Sequence, residues 1–181
     1  MLKVTKKIKE ILERKELSEN KLAQLIDYHS GSLNKIINGK EAFPEHVIKK
    51  IAPILDISPE VIKGWILSDK YPHKILYKAL ETKMIMNSES RVIIIQGKAD
   101  PILPIKIDEK LKEKGLSRTA LSKIINYSQG KLNQMIKGDE PMSPLVISKI
   151  APVLEVTENE IISWIIADKY SADALRVAVE S

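Results

Sequence analysis

Residues 17–39 read LSENKLAQLIDYHSGSLNKIING, and residues 116–138 read LSRTALSKIINYSQGKLNQMIKG. Around this stretch, residues 8–81 align with residues 107–180 at a constant offset of 99, without an insertion or deletion, and 31 of the 74 pairs are identical. A repeat of this regularity indicates that one structural unit was duplicated. We therefore expect two similar modules of about 75 residues, a size close to the lower limit for folding unaided.

The quoted stretch predicts two short helices joined by a tight turn. Ser18 is a suitable N-cap for the first of them, and apolar residues then recur at helical spacing. The next helix begins near Ser30 and stops at Asn38-Gly39, where glycine suits a left-handed C-cap. The residues expected to point inward are Leu22, Leu25, Ile26, Leu33, Ile36 and Ile37 in the first repeat, and Leu121, Ile124, Ile125, Leu132, Met135 and Ile136 in the second.

The later of these two helices also has a polar face. Amides can pair with base edges, lysine can reach guanine or phosphate, and glycine permits close backbone approach. Two short helices with such a face make the helix-turn-helix arrangement that presents a recognition helix to the DNA major groove. The simpler alternative is that the polar residues only solvate an exposed surface. The outward set is Gly31, Asn34, Lys35 and Asn38 in the first repeat, and Gly130, Asn133, Gln134 and Lys137 in the second.

The same residues carry a family pattern. The first repeat contains Leu17-Ser18-x3-Leu22-Ala23-x3-Asp27-Tyr28-x4-Leu33-x2-Ile36-x2-Gly39, and the second matches it through Leu116-Ser117, Leu121, Leu132, Met135 and Gly138. This pattern resembles the lambda-repressor-like, or XRE-type, helix-turn-helix domain. The resemblance implies an all-α fold of two tandem lambda-repressor-like helix-turn-helix domains, each with five core helices plus an extra C-terminal helix.

The repeat boundaries place the first domain at residues 1–81, a linker at residues 82–106 and the second domain at residues 107–181. Within the linker, Arg91–Gly97 is a β-like run that either pairs as a short strand or packs against a module as an apolar tether. The extra helix has two alternatives as well, because its apolar face could pack within the chain or between chains. A homodimer through the linker or through the C-terminal helices is therefore one expected partner arrangement.

The resemblance also implies DNA contacts. In this family the third helix of the domain enters the major groove, and the start of the second helix touches phosphate. Carried over by position, the candidate contacts are Ser18, His29, Ser30, Ser32, Asn34, Lys35, Asn38 and Lys40 in the first repeat, and Ser117, Arg118, Ser128, Gln129, Lys131, Asn133, Gln134 and Lys137 in the second.

Two positions depart from the family pattern. The turn residue that is usually glycine is Asp27 or Asn126, and either type can adopt a left-handed conformation. Glu19 stands where the family often has glutamine, and an acid facing phosphate should weaken binding. Arg118 at the matching position should strengthen it.

The remaining shared residues are expected to be structural. Pro53 and Pro152 should kink or end the fourth helix of each repeat, since proline lacks a backbone donor. Ser58 with Pro59 after it is a good start for the fifth helix, and Thr157 is a weaker one. The repeated tryptophans, Trp65 and Trp164, are expected in the core, and the triplet Asp69-Lys70-Tyr71, repeated as Asp168-Lys169-Tyr170, is expected to be structural.

Composition narrows the function classes. There is no cysteine, so disulfides and thiolate zinc sites are excluded, and no apolar run reaches membrane-spanning length. None of the three histidines has a counterpart in the other repeat, and no nucleophile motif or Gly-rich phosphate loop is present. We expect a cytoplasmic protein that is not an enzyme and needs no cofactor or metal. Residues 1–81 carry a formal charge of +4, residues 82–99 +2 and residues 100–181 −1.

The sequence thus favours sequence-specific binding of double-stranded DNA, in a transcriptional regulator whose two recognition helices read adjacent half-sites about 34 Å apart. The alternative is a protein-interaction scaffold in which one or both modules no longer read DNA. A basic excess suits a polyanionic partner, because neutralised phosphates release counterions.

Overall fold

The computed structural model describes residues 2–89 and 101–181, which form twelve α-helices and contain no strand. This confirms the all-α prediction, with six helices in each repeat. The β-like run at residues 91–97 lies outside the described residues. The helices are α1 (Lys3–Arg14), α2 (Glu19–Leu25), α3 (Ser30–Ile37), α4 (Glu45–Ile54), α5 (Pro59–Lys70), α6 (His73–Glu89), α7 (Ile102–Glu113), α8 (Arg118–Ile124), α9 (Gln129–Lys137), α10 (Pro144–Leu154), α11 (Glu158–Lys169) and α12 (Ala172–Glu180).

Each repeat builds its own core from the apolar stripes of its first five helices. One fully buried residue from each helix illustrates the equivalence, and each such side chain contributes about 1.5–3 kcal/mol by leaving water. Trp65 and Trp164 belong to these two cores, as predicted. The five pairs are Ile8 and Ile107, Leu22 and Leu121, Leu33 and Leu132, Ile51 and Ile150, and Ile62 and Ile161.

Two of the expected inward residues are instead exposed. Leu25 and Ile124, which occupy the same position in the two repeats, expose 53% and 55% of their surface. The prediction was wrong because the buried stripe of α2 runs through Leu22, Ala23 and Ile26, and Leu25 lies roughly 100° around the helix from its centre.

The predicted caps and turns of the helix-turn-helix are present. The Ser18 hydroxyl accepts a hydrogen bond from the backbone N–H of Lys21 at 3.1 Å, and Ser117 caps α8 in the same way. Asp27 and Asn126 have φ angles of 49° and 50°, so both adopt the left-handed conformation that the turn requires. The glycines that follow the third helices, Gly39 and Gly138, have φ angles of 73° and 81°.

The structure refines the predictions for the end of the fourth helix and the start of the fifth helix in each repeat. Helix α4 ends one residue after Pro53, and α10 ends two residues after Pro152. Thr157 proves the better N-cap, because Thr157 and Glu160 form a complete capping box, whereas the Ser58 side chain makes no capping bond. A capping box needs an acceptor side chain at the third helical position, which α11 has and α5 lacks.

The aspartate of the repeated triplet has a structural role. Both carboxylate oxygens of Asp69 accept hydrogen bonds from backbone N–H groups at the start of α1, from Lys3 at 2.7 Å and from Val4 at 2.9 Å. Asp168 accepts from Ile102 at 3.0 Å and caps α7 in the same manner. The first four N–H groups of a helix lack partners within it, so each aspartate satisfies groups that burial would otherwise penalise.

The chain divides into two compact units that do not coincide with the repeats. One unit comprises residues 2–73 together with Asp173–Ser181, and the other comprises the described part of Lys74–Ala172. The sixth helix of each repeat therefore belongs to the unit that the other repeat builds. Residues 82–89 and 102–106, which the repeat boundaries assign to the linker, are helical.

The exchanged helices meet their units through different chemistry. In the first unit α12 approaches α5 at Gly64, where an added Cβ would lie 2.6 Å from the Cβ of Val177. In the second unit α6 approaches α11 at the equivalent level, and Lys78 Nζ donates to Glu160 Oε1 at 2.9 Å. Lys78 occupies the repeat position of Val177, and Glu160 occupies that of Val61. The contact of the sixth helix with its unit is therefore apolar and close in the first unit, and it is ionic in the second unit.

Candidate nucleic-acid interface

The α2–α3 pair in the first unit forms the predicted helix-turn-helix, and α3 presents the expected polar face. Leu33, Ile36 and Ile37 are buried, while Asn34 and Lys35 are exposed. The residue before the helix is His29, whose Nδ1 accepts a hydrogen bond from the backbone N–H of Ser32 at 3.3 Å. His29 is thus an N-cap of the recognition helix as well as a candidate contact.

Four polar residues join α1, α2 and α3 in a closed polar ring, which consists of Lys9, Glu19, Asn34 and Asn38. The Asn34 amide donates to Glu19 Oε2 at 2.6 Å, and the other carboxylate oxygen of Glu19 lies 3.5 Å from Lys9 Nζ. Lys9 donates to Asn38 Oδ1 at 2.8 Å, and the Asn38 amide returns to the Asn34 carbonyl oxygen at 2.8 Å. The ring fixes the orientation of the Asn34 amide on the recognition helix and of the Asn38 amide at the C-cap of that helix.

The second repeat has the same ring positions with the charges reversed. They hold Asp108, Arg118, Asn133 and Lys137. Arg118 donates from Nε and Nη2 to the two oxygens of Asp108 at 2.7 and 2.6 Å. Such bidentate, charge-assisted pairs are stronger than a single lysine contact at 3.5 Å. Arg118 was expected to strengthen phosphate binding, but Asp108 already neutralises its charge.

The polar residues on α9 make fewer contacts than Arg118 does. Asn133 is half-buried, and its Oδ1 is buried without a hydrogen-bond partner among the described residues. Across the described ranges, Lys131, Gln134 and Lys137 make no side-chain hydrogen bond or ion pair. In the first repeat, by contrast, Lys35 Nζ lies 3.4 Å from a carboxylate oxygen of Glu41. The second recognition helix has the freer polar face.

The other candidate residues lie around the same surfaces. Gln129 Nε2 donates to Thr119 Oγ1 at 2.8 Å and so joins the start of α9 to the start of α8. Ser30 and Lys40, on or just after α3, are exposed, Ser32 is half-buried, and Ser128 is the exposed N-cap residue of α9.

Sequence reasoning missed Lys9 and Asp108, the ring members on the first helices. Their signal is visible once the repeats are aligned. In the alignment Lys9 is equivalent to Asp108 and Glu19 is equivalent to Arg118, so both positions reverse their charge. Two opposite changes of sign at a constant offset indicate that the two positions are in contact and that their charges compensate.

The structure of the described residues contains no group of three or more His, Cys, Asp or Glu side chains that could hold a metal ion. In the same part of the chain, no helix has the length and apolarity needed to cross a membrane.

The fold and its repeated polar face define a helix-turn-helix DNA-binding protein. The sequence pattern of the Cro/C1-type HTH DNA-binding domain matches residues 7–66 and matches again at residues 106–167. These two matches cover more than half of the 181 residues, and the chain belongs to this family. No curated protein and no solved structure matches the chain. The predicted resemblance is confirmed, and DNA binding is the activity that the family indicates.

Proposed function

We propose that this protein is a sequence-specific, double-stranded DNA-binding regulator of transcription in which α3 and α9 each read one of two adjacent half-sites. The observation that carries the proposal is the presence of two complete helix-turn-helix motifs, each with a polar outward face on its third helix. The candidate contacts are those carried over from the family pattern. We also propose that the regulator acts in the cytoplasm.

Unequal recognition residues favour unequal half-sites. The pair Asn34-Lys35 on α3 corresponds to Asn133-Gln134 on α9, so only the asparagine is shared. Joining two weak readers in one chain raises the overall affinity, because the second reader binds at the effective concentration that the first one sets. The operator should therefore be an imperfect repeat rather than two identical halves.

The first test measures binding to random duplex DNA across a salt series, with fluorescence anisotropy as the readout. A protein that neutralises several phosphates loses affinity steeply as salt rises. Undetectable binding at low ionic strength, or binding that salt does not weaken, would refute the proposal.

The second test assigns the reading to each repeat. Asn34→Ala with Lys35→Ala, and Asn133→Ala with Gln134→Ala, should each reduce sequence preference, since a good base contact is worth about 1–3 kcal/mol. Lys74→Ala removes an exposed charge from α6 and serves as the matched control. The base preferences are measured by selection of bound sequences from a random DNA pool.

A scaffold role for one repeat is the second candidate. For the second repeat it is favoured by the net charge of −1 over residues 100–181. For the first repeat it is favoured by the polar ring that already engages Asn34 and Asn38. Loss of preference from only one of the two paired variants would assign DNA reading to that repeat and leave the other as a protein-binding module.

A further inference from the structure

The duplicated asparagine, Asn34 and Asn133, has neighbours of opposite hydrogen-bonding character in the two repeats. Glu19 is a carboxylate and can only accept hydrogen bonds, whereas Arg118, at the same repeat position, can only donate them. An asparagine side chain has one group of each kind, a carbonyl oxygen and an NH₂ group. A neighbour that can only accept or only donate therefore favours one of the two orientations of the amide.

In the first repeat the NH₂ group is turned inward. Asn34 Nδ2 donates to Glu19 Oε2 at 2.6 Å, and the reverse orientation would set two oxygens against each other. Lys9 lies 3.5 Å from the second oxygen of Glu19 and holds the carboxylate in place. Because Asn34 itself is exposed, its free Oδ1 is a hydrogen-bond acceptor on the outward face of α3.

In the second repeat the orientation is the opposite. Asn133 Oδ1 is the atom that is buried without a partner within the described residues. Arg118 offers no acceptor for an NH₂ group, and its guanidinium is engaged by Asp108 through two hydrogen bonds. Because Asn133 is half-buried and its Oδ1 is the buried atom, we infer that its NH₂ is the group available as a donor on the outward face of α9.

The major groove distinguishes these two groups. Adenine N6 and cytosine N4 are the donors of the major groove, and they suit an acceptor on the protein. Guanine O6 and N7, thymine O4 and adenine N7 are acceptors and suit a donor.

We infer that Glu19 and Arg118 are specificity-determining residues that make one shared asparagine read opposite base edges in the two repeats. Through Glu19, Asn34 presents an acceptor and selects adenine or cytosine. Beside Arg118, Asn133 presents a donor, which suits guanine, thymine or the N7 of adenine and does not suit cytosine. The inference rests on the proposed DNA-reading function and adds the chemical class of base that each helix takes. Glu19 and Arg118 both act here as positioning residues, because neither touches the base. Glu19 orients the Asn34 amide, and Arg118 offers the Asn133 NH₂ group no acceptor.

The test exchanges the ion pairs within the full chain. Lys9→Asp with Glu19→Arg gives the first repeat the pair of the second, and Asp108→Lys with Arg118→Glu makes the reciprocal exchange. Asn34→Ala and Asn133→Ala first locate the base position whose preference depends on each asparagine. Binding is then measured with duplexes that carry each of the four bases at that position.

In the first repeat, the wild type should prefer adenine or cytosine at the Asn34-dependent position. The exchanged pair should shift the preference from cytosine toward guanine or thymine, with a change of about 10-fold in relative affinity. Adenine offers both a donor and an acceptor and should change less. The reciprocal variant should shift the Asn133-dependent position the other way, which keeps the inference testable if circular dichroism shows that one variant does not fold. The matched control is Lys15→Asp with Asp56→Lys, which reverses a different ion pair of the first unit and should leave base preference unchanged.

Three outcomes would overturn the inference. An unchanged base preference in a folded, exchanged variant would do so while leaving the proposed function intact. An alanine variant that relaxes no base position would do so as well. A wild type without any sequence preference would overturn the proposed function together with the inference.

Discussion

Glu160 should make a measurable part of the stability of the second unit depend on pH. Its Oε2 accepts hydrogen bonds from the backbone N–H and the hydroxyl of Thr157 at 2.9 and 3.0 Å, and its Oε1 accepts from Lys78 at 2.9 Å. The Thr157 backbone bond, followed by the Lys78 bond, lowers the pKa of Glu160 from 4.5 to about 2. Glu160→Gln keeps the size of the side chain and removes the charge.

The expected magnitude follows from linkage between protonation and folding. Each unit of pKa difference between the folded and unfolded chain is worth about 1.4 kcal/mol, so the full shift sets an upper limit of about 3 kcal/mol. The side chain is 28% exposed. Partial screening by water reduces the expected loss in Glu160→Gln to about 2 kcal/mol at pH 7.

The direction of the pH dependence is fixed by the sign of the shift. A carboxyl whose pKa is lower in the folded state stabilises the protein above its unfolded pKa, and that contribution is lost as the pH falls through the folded value. The difference between wild type and Glu160→Gln should therefore be complete above pH 4.5 and should disappear between pH 4.5 and about 2.

The assay is urea unfolding followed by the fluorescence of Trp164. The Trp65→Phe background leaves Trp164 as the single tryptophan, because the chain contains two. Glu158→Gln removes another acid from the first turn of the same helix and should cost less at pH 7. Equal stability of Glu160→Gln and wild type at pH 7, or a difference that persists unchanged at pH 2, would refute the reasoning.

Three further predictions concern the packing of α12, the cap of α1 and the polar faces. Gly64→Ala sets a methyl group 2.6 Å from the nearest carbon of α12. It should lower the free energy of unfolding by about 1–3 kcal/mol relative to Gly130→Ala, where nothing lies within 4 Å of the added carbon. Equal urea midpoints of the two variants would contradict the close approach. Asp69→Ala should cost about 0.5–2 kcal/mol by uncapping α1, again measured by urea unfolding, and an unchanged stability would argue against the cap. Lys137→Ala should reduce the slope of log affinity against log salt by about 1, whereas Arg118→Ala should reduce it less because Asp108 already neutralises that arginine; equal reductions would show that Arg118 is a free phosphate contact.

The local structure of each repeat could be predicted because its causes are local. Helical spacing places Leu33 and Ile36 inside and Asn34 outside, and a left-handed turn tolerates Asp27. The exposure of Leu25 could not be read in the same way. Its spacing from Leu22 fits a helix, and the direction of the core is set by tertiary packing rather than by periodicity.

The polar ring and the exchanged helices depend on contacts between distant residues. Lys9 lies on α1 and Asn38 is the C-cap of α3, and a hydrogen bond between their side chains leaves no periodic signal in one repeat. The family resemblance ends near the fifth helix, so it carries no information about where the sixth helix packs. The repeat alignment does contain part of the answer, since Val177 and Lys78 occupy one position with very different chemistry.

The exchange of the sixth helices has a consequence for the order of synthesis. The first unit needs Asp173–Ser181, and these residues follow His73 only after the whole second unit has been made. At typical rates of about 5–20 residues per second, the first unit waits roughly 5–20 s on the ribosome with the surface around Gly64 uncovered. The second unit can close as soon as Ala172 emerges, because its sixth helix precedes it in the chain. The unit that is begun first is therefore completed last.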